Sequence, residues 1–401
     1  MNAPVLIAGG GIGGLTAALA LAQRGQASVL FERAATFSEL GAGVQLGPNA
    51  CGVLQGMGLL PAVQALACQP EALQVRAACS GASLSRMILG ANMQARHGQP
   101  YLTVHRGQLH QILLQAAQKH ALIKLHNSAS VQAYKANAAG VELIFAHGQP
   151  ARGSALLACD GVWSRLAPQI QPQLRPATYS GHMAYRALLP MAAVRHLLPD
   201  IERQVGLWLG AGAHVVHYPV DAGQLLNIVV LLEAPQPSAE QGWSQAIPQG
   251  EVQTELERAL GRRYAGALQN LLWAADSWFA WPLYGCSPQG GWAQGRAALL
   301  GDAAHPMLPY LAQGAAMALE DAQVLAQCWL PDDPAAALRH YAALREGRCA
   351  RVVQTAARNA RIFHASGLLA LGRDAYLRLQ NGKPVGMDWL YGWQQGPLPV
   401  S

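Results

Sequence analysis

The sequence predicts an α/β fold in which a Rossmann-like dinucleotide-binding unit is interrupted by a separate sheet and followed by a mainly helical C-terminal segment. Three observations carry this. An apolar strand over residues 4–8 leads into a glycine-rich turn over 9–14, a helix over 15–24 and a second strand over 28–32, a βαβ opening. Far downstream another buried strand, 297–300, runs directly into Gly301-Asp302. Between the two, the pattern changes to short β-like runs. The clearest are neighbouring strands over 214–220 and 225–232 around the turn Asp221-Ala222-Gly223.

The remaining elements follow in order. Residues 73–89 read as a hairpin around Ser80-Gly81-Ala82, 109–120 as a helix, and 141–145 and 154–159 as strands. A long helix covers 314–329, residues 331–334 break it with two prolines, and the tail after 335 is mainly helical. The chain thus leaves the nucleotide-binding unit and returns to it. The division expected is 1–72, 101–175 and 276–334 for that unit, 73–100 and 176–275 for the second sheet, and 335–401 for the helical segment.

Composition narrows the class. With 401 residues and 51% hydrophobic content, the chain can bury a large core and hold two domains. Its seven cysteines are scattered, odd in number and without a CxxC pair, which points to a reducing compartment with neither a disulfide framework nor a zinc site. The apolar stretch 5–22 lacks a charged leader and is broken by five glycines, so it does not read as a signal peptide. No run is long enough for a membrane span, and a cytoplasmic location is expected. The net charge of +6 raises nucleic acid as a partner. The arginines are spread along the chain, however, and the densest group (Arg339, Arg345, Arg348, Arg351, Arg358, Arg361) reads as a solvated helix face. Neither nucleic acid nor membrane is expected as a partner. A mildly positive surface suits anionic substrates and nicotinamide cofactors.

The first chemical motif is Gly9-x-Gly11-x-x-Gly14, with Ile12 and Gly13 inside it. Gly9 permits the tight turn, Gly11 lets the backbone approach a pyrophosphate, Gly14 allows close helix–strand packing, and the helix N-terminus favours phosphate. Glu32 ends the next strand 18 residues after Gly14, the spacing of a carboxylate that binds ribose, and Arg33 follows it. These residues indicate a dinucleotide but do not separate FAD from NAD.

The segment from Ala297 through Gly301-Asp302-Ala-Ala-His-Pro and Gln313-Gly-Ala-Ala-Met to Glu320-Asp321 resembles the GD fingerprint of class A flavoprotein monooxygenases. Cys159-Asp160-Gly161-Val-Trp-Ser164 resembles the family's DG motif, though Ala167 stands where the family usually has arginine. Arg106 falls where the family places an arginine near the flavin, and the stretch 41–49, containing Val44, resembles the segment beside the flavin ring. His217-Tyr218-Pro219 and the stretch 388–393 extend the resemblance, which is greatest to salicylate hydroxylase-like and 3-hydroxybenzoate 6-hydroxylase-like enzymes.

The resemblance implies a GR2-type FAD-binding domain interleaved with a mostly antiparallel substrate sheet and C-terminal helices. It implies FAD as cofactor and NADH or NADPH as co-substrate. Oxygen would add at flavin carbon 4a, and the hydroperoxide would hydroxylate a small phenolic aromatic or heteroaromatic substrate. It leaves a homodimer open. Asp302 would accept hydrogen bonds from ribityl hydroxyls beside Gly301, and Pro309 would stiffen the loop. Gly314, Ala315 and Ala316 would turn a helix N-terminus toward the flavin pyrimidine. Asp160 would serve FAD and the nicotinamide cofactor.

A phenol hydroxylase benefits from a base near the substrate. On a strand, His214 and Tyr218 share one face while His217 takes the other, and histidine followed four residues later by tyrosine matches the family's substrate-pocket pair. A histidine satisfied within the sheet remains the alternative, and His305 reads as a turn-stabilising or cofactor-side group. Other classes stay open: another flavin-dependent oxidoreductase, halogenase-like or reductase, or a non-catalytic FAD- or ligand-binding protein. An NAD-dependent dehydrogenase has no use for 301–321, and Trp278-Phe-Ala-Trp281-Pro lacks halogenase spacing.

Overall fold

The computed structural model describes residues 3–37, 43–236, 245–260, 264–380 and 386–393. Six strands build the nucleotide-binding sheet in the order Ala293–Gln294, Ala297–Leu299, Ala155–Ala158, Val5–Ala8, Ser28–Phe31, Ile123–His126. Every pair is parallel except the first. Val5–Ala8 is central and buried at every residue, so its apolar run is continuous, as expected for a parallel strand covered on both faces. The helix Ile12–Gln23 returns across this sheet and packs on the helix Gly314–Cys328. Two glycines permit that return. Gly9 has φ +111° and a Cβ there would stand 2.3 Å from the Cys159 carbonyl oxygen, while a Cβ on Gly14 would stand 2.0 Å from the Gly9 oxygen.

The second sheet has eight strands in the order Gln245–Pro248, Ser277–Gly285, Thr178–Pro190, Leu225–Glu233, Ala213–Val220, Gln204–Gly210, Ala72–Ala77, Ser83–Ile88. One pair, Gln204–Gly210 with Ala72–Ala77, is parallel and the others are antiparallel. The hairpin read at 73–89 is its edge. The strand Ser277–Gly285 differs from the sequence division at 276, which gave it to the nucleotide unit; it pairs with Thr178–Pro190 across about a hundred residues of chain, a long-range choice that no local pattern encodes.

A two-stranded ribbon, Gly43–Leu46 with Leu102–His105, ties the sheets together. Gly43 N donates to the buried Asn227 Oδ1 at 2.8 Å, and Thr103 Oγ1 donates to the Pro219 carbonyl at 2.6 Å. The 30-residue helix Pro334–Phe363 closes the molecule. Pro334 occupies its first turn and the Asp333 side chain accepts from Ala336 N, a conventional start. Four of the six arginines read as a solvated face, Arg339, Arg351, Arg358 and Arg361, are exposed, but the inward stripe Tyr341, Arg345, Cys349, Val352 and Ala356 corrects that reading for the other two. Arg345 is 1% exposed, and Arg348 also turns inward. Among the described residues, no helix is long and apolar enough to cross a membrane.

Candidate active site

A cavity of about 510 Å³ runs from the 9–14 turn, past Gly301-Asp302, to one face of the eight-stranded sheet. At its first end Gly9, Gly10, Gly11, Ile12 and Gly13 present backbone, with Gly11 capping the helix Ile12–Gln23. The Glu32 carboxylate fixes this turn. Its Oε2 accepts from Gly10 N and its Oε1 from Ala34 N, both at 2.8 Å. Arg33 stands on the rim. Asp160 accepts from Arg165 N through Oδ2 at 2.9 Å, while its Oδ1 is buried without a hydrogen-bond partner among the described residues. Burial pushes the Asp160 carboxyl up, and hydrogen bonds from Ser164 and Arg165 partly offset it. Ala167 is buried at the start of the helix Ala167–Ile170, where its N–H donates to Ser164 Oγ at 2.8 Å, and Arg165 lines the cleft instead.

Val44, Arg106, Gly301, Asp302, Pro309, Gly314 and Ala315 line the middle of the cavity. Gly301 has φ +64°, which a side chain would strain, and it delivers Asp302 beside the N-terminus of the helix Gly314–Cys328. Gly14 and Ala316 lie behind this wall, Gly14 against the Gly9 carbonyl and Ala316 in the core. Gly41 and Ala42, in the ring-side stretch, lie outside the described residues. The donor set fits FAD: bare backbone at a helix N-terminus for pyrophosphate, the unpartnered Asp160 oxygen and the Asp302 carboxylate for hydroxyls, and a second helix N-terminus for a ring that accumulates negative charge.

Beneath the GD turn lies an ionic network that the sequence did not reveal. Asp321 Oδ2 accepts from Gly301 N at 3.1 Å and meets His305 Nε2 at 2.6 Å, while its Oδ1 accepts from Arg345 Nε at 2.7 Å. Glu320 receives Arg345 and Arg348, and also Asn49 Nδ2 at 2.7 Å. Burial opposes charge on Asp321, but His305 and Arg345 hold its carboxyl at about 2. Burial likewise opposes a charged His305, and the neighbouring Cys349 and Asp321 overturn it, placing His305 well above the usual histidine range. His305 is therefore bound within the support of the turn. Arg348 also donates to the carbonyls of Trp389 and Leu390, which anchors the end of the described chain.

At the sheet end His214, Val216 and Tyr218 line the cavity from one face of Ala213–Val220, with Val229 and Leu231 from the next strand and Met307 opposite. His217 faces away, its ring filling the space above Gly206, and burial lowers it to about 3. His214 Nδ1 lies 2.8 Å from His364 Nε2, which leaves Nε2 as the nitrogen available to a substrate. Burial, then the nearby His364 and His182, push His214 well below the usual histidine value. Burial raises Tyr218 to about 12 against the pull of Arg186.

Arg186 was missed in the sequence. It lines the cavity, its Nε has no hydrogen-bond partner among the described residues, its guanidinium sits 5.0 Å from the Trp281 ring centre, and burial lowers it to about 10. A lone cation inside the run Ala-Tyr-Arg-Ala-Leu-Leu was the available signal.

The comparisons agree with this geometry. Residues 2–356 match the FAD binding domain family. The chain is 33% identical to the 3-hydroxybenzoate 6-hydroxylase of Polaromonas naphthalenivorans (strain CJ2), covering 98% of this chain and 96% of that protein. It is 33% identical to the 6-hydroxynicotinate 3-monooxygenase of Bordetella bronchiseptica (strain ATCC BAA-588 / NCTC 13252 / RB50), covering 87% and 89%. Among solved structures, Klebsiella pneumoniae HpxO complexed with FAD and uric acid superposes with a TM-score of 0.82 at 26% identity, covering 94% of this chain and 93% of that one. The family-wide match and the near full-length relatives agree with the two helix N-termini facing one cleft: the chain belongs to the FAD binding domain family, among the class A flavoprotein aromatic hydroxylases.

Proposed function

We propose that the substrate is a small phenolic acid of the hydroxybenzoate class, bound with its hydroxyl at His214 and its carboxylate at Arg186. The observation that carries this is the single wall formed by His214, Tyr218 and Arg186 at the apolar end of the cavity. Bound FAD, reduced by NADH or NADPH, supplies the oxygen chemistry. The residues of the chain supply the rest. Val216, Val229 and Leu231 exclude water from the ring face. His214 Nε2 takes the phenolic proton, which raises electron density on the ring, and Tyr218 orients the ring from the same strand face. The Arg186 guanidinium, held on Trp281, offers a charge-assisted contact to the carboxylate. The relatives that act on 3-hydroxybenzoate and 6-hydroxynicotinate, both aromatic acids with a ring hydroxyl, support the class.

We also infer that Gly9–Gly13, Glu32, Arg33, Val44, Arg106, Asp160, Gly301, Asp302, Pro309, Gly314 and Ala315 contact FAD, with Gly14 and Ala316 supporting from behind. The seven free cysteines favour a reducing cytoplasm, and the inward turn of Arg345 and Arg348 weakens any basic stripe for nucleic acid. A screen of hydroxybenzoates and hydroxypyridine carboxylates for stimulated NAD(P)H oxidation, with product analysis in labelled oxygen, tests the substrate class. A hydroxylated acid carrying one atom from oxygen gas is expected. Stimulation by neutral phenols alone would remove the carboxylate from the account. Arg186→Gln should weaken binding of the acid by roughly 1.5–3 kcal/mol while leaving a carboxyl-free phenol unaffected, as titration would show.

A further inference from the structure

His214 cannot hold a proton comfortably. It is 1% exposed, no carboxylate among the described residues pairs with it, and the groups around it are Tyr310, Phe363, His182 and His364. A base in that position must pass its proton on. Its Nδ1 meets His364 Nε2 at 2.8 Å, joining the strand Ala213–Val220 to the end of the helix Pro334–Phe363. His364 is also buried, and its backbone is fixed by Gly212 N donating to its carbonyl at 3.0 Å. On its far side, His364 Nδ1 lies 3.6 Å from Glu233 Oε1, and the Glu233 side chain is 60% exposed. A buried imidazole in the substrate wall thus meets a second imidazole, whose far nitrogen has no hydrogen-bond partner among the described residues and faces a carboxylate in water.

We propose that His364 and Glu233 form the exit for the phenolic proton, carrying it from His214 to solvent. The inference rests on the reading of His214 as the base. The proton count closes. The substrate O–H proton passes to His214 Nε2, the His214 Nδ1 proton passes to His364 Nε2, and the His364 Nδ1 proton passes to the Glu233 carboxylate and then to water. Each imidazole ends neutral in its other tautomer. Burial disfavours a charged ring at both positions, with His364 lowered to about 3, so a hand-over that never leaves an imidazolium suits this site better than storage. The 3.6 Å step is longer than a hydrogen bond, and the proposal requires the exposed Glu233 side chain to move closer for the last transfer. His182, with its ring 5.1 Å from that of His364, flanks the path, and its Nδ1 has no hydrogen-bond partner among the described residues.

The test reads protons without turnover. Oxidised holoenzyme is mixed with 3-hydroxybenzoate in weakly buffered solution containing a pH indicator, and stopped-flow follows proton release and the phenolate absorbance. Wild type should release a proton on binding. His364→Gln keeps an amide near Nε2 but cannot titrate, and should slow release by roughly tenfold or more with FAD content and substrate affinity unchanged. Glu233→Gln, at an exposed position, should slow it less. Added imidazole should restore the rate in His364→Ala, which a purely structural role for His364 would not allow. His214→Asn separates the two readings. If it still releases the proton at the wild-type rate, His214 is not the base. If it does not, while His364→Gln and Glu233→Gln both release at the wild-type rate, the base stands and the exit is overturned.

Discussion

Two buried histidines, one beneath the GD turn and one in the substrate wall, show how partners decide what a buried imidazole does. His305 lies against Asp321 at 2.6 Å, within a network that also holds Arg345 and Glu320. His214 lies against another imidazole at 2.8 Å, among aromatic rings. Both are almost fully buried. The first is favoured in its charged form because Cys349 and Asp321 outweigh the cost of burial, which ties its proton into the support for the GD turn. The second is disfavoured as a charge by burial and by the neighbouring His364 and His182, so a proton that arrives has reason to leave. A rigid ionic floor beneath the cofactor end and a charge-free pair at the substrate end suit the two tasks of holding a large cofactor and moving a proton.

Breaking the floor should have the larger consequence for folding. Arg345→Met strands Glu320 and Asp321 without a principal counter-charge, and should destabilise the protein by about 3–5 kcal/mol, the usual result of removing one partner from a buried pair. Denaturant unfolding measures it, and a change near zero would mean the network is not what holds the turn. One step up, Asp302→Ala should weaken FAD retention by roughly 1.5–3 kcal/mol per lost charge-assisted hydrogen bond with the fold intact. Unchanged flavin affinity would show that Asp302 does not hold the ribityl chain. The smallest effect is spectroscopic and sharpens the contrast directly. Nitrogen-15 spectra of the imidazoles should show His305 doubly protonated at pH 7, and His214 and His364 each with one bare nitrogen at pH 5. The expectation follows in sign from a raised value for His305 and lowered values for the other two.

Much of the cofactor end was legible because its constraints are local. The glycines of 9–14, the carboxylate at Glu32 and the Gly301-Asp302 turn each sit in one short stretch whose residue types follow from backbone approach to a ligand. The face of Ala213–Val220 was also legible, since strand alternation alone places His214 and Tyr218 together and His217 apart. What escaped depends on distant chain segments. His364 meets His214 from 150 residues away, and Arg345 looks like any arginine on a polar helix until the helix Gly314–Cys328 presents two acids to it. The division at 276 misses the pairing of the strand Ser277–Gly285 with Thr178–Pro190 for the same reason, and Arg186, a single cation in a strand, has no periodic signature.

The alternation of that histidine strand offers the most direct test of the functional account, because its two histidines differ in face but little in burial. Single-turnover hydroxylation of a phenolic acid by pre-reduced holoenzyme should fall by roughly 10²–10⁴-fold in His214→Asn, the usual loss for a positioned base, with FAD binding intact. His217→Asn should hydroxylate at nearly the wild-type rate, since its ring packs over Gly206 outside the cavity. The opposite pattern, a critical His217 and a dispensable His214, would contradict the assignment of the base and of the substrate wall together.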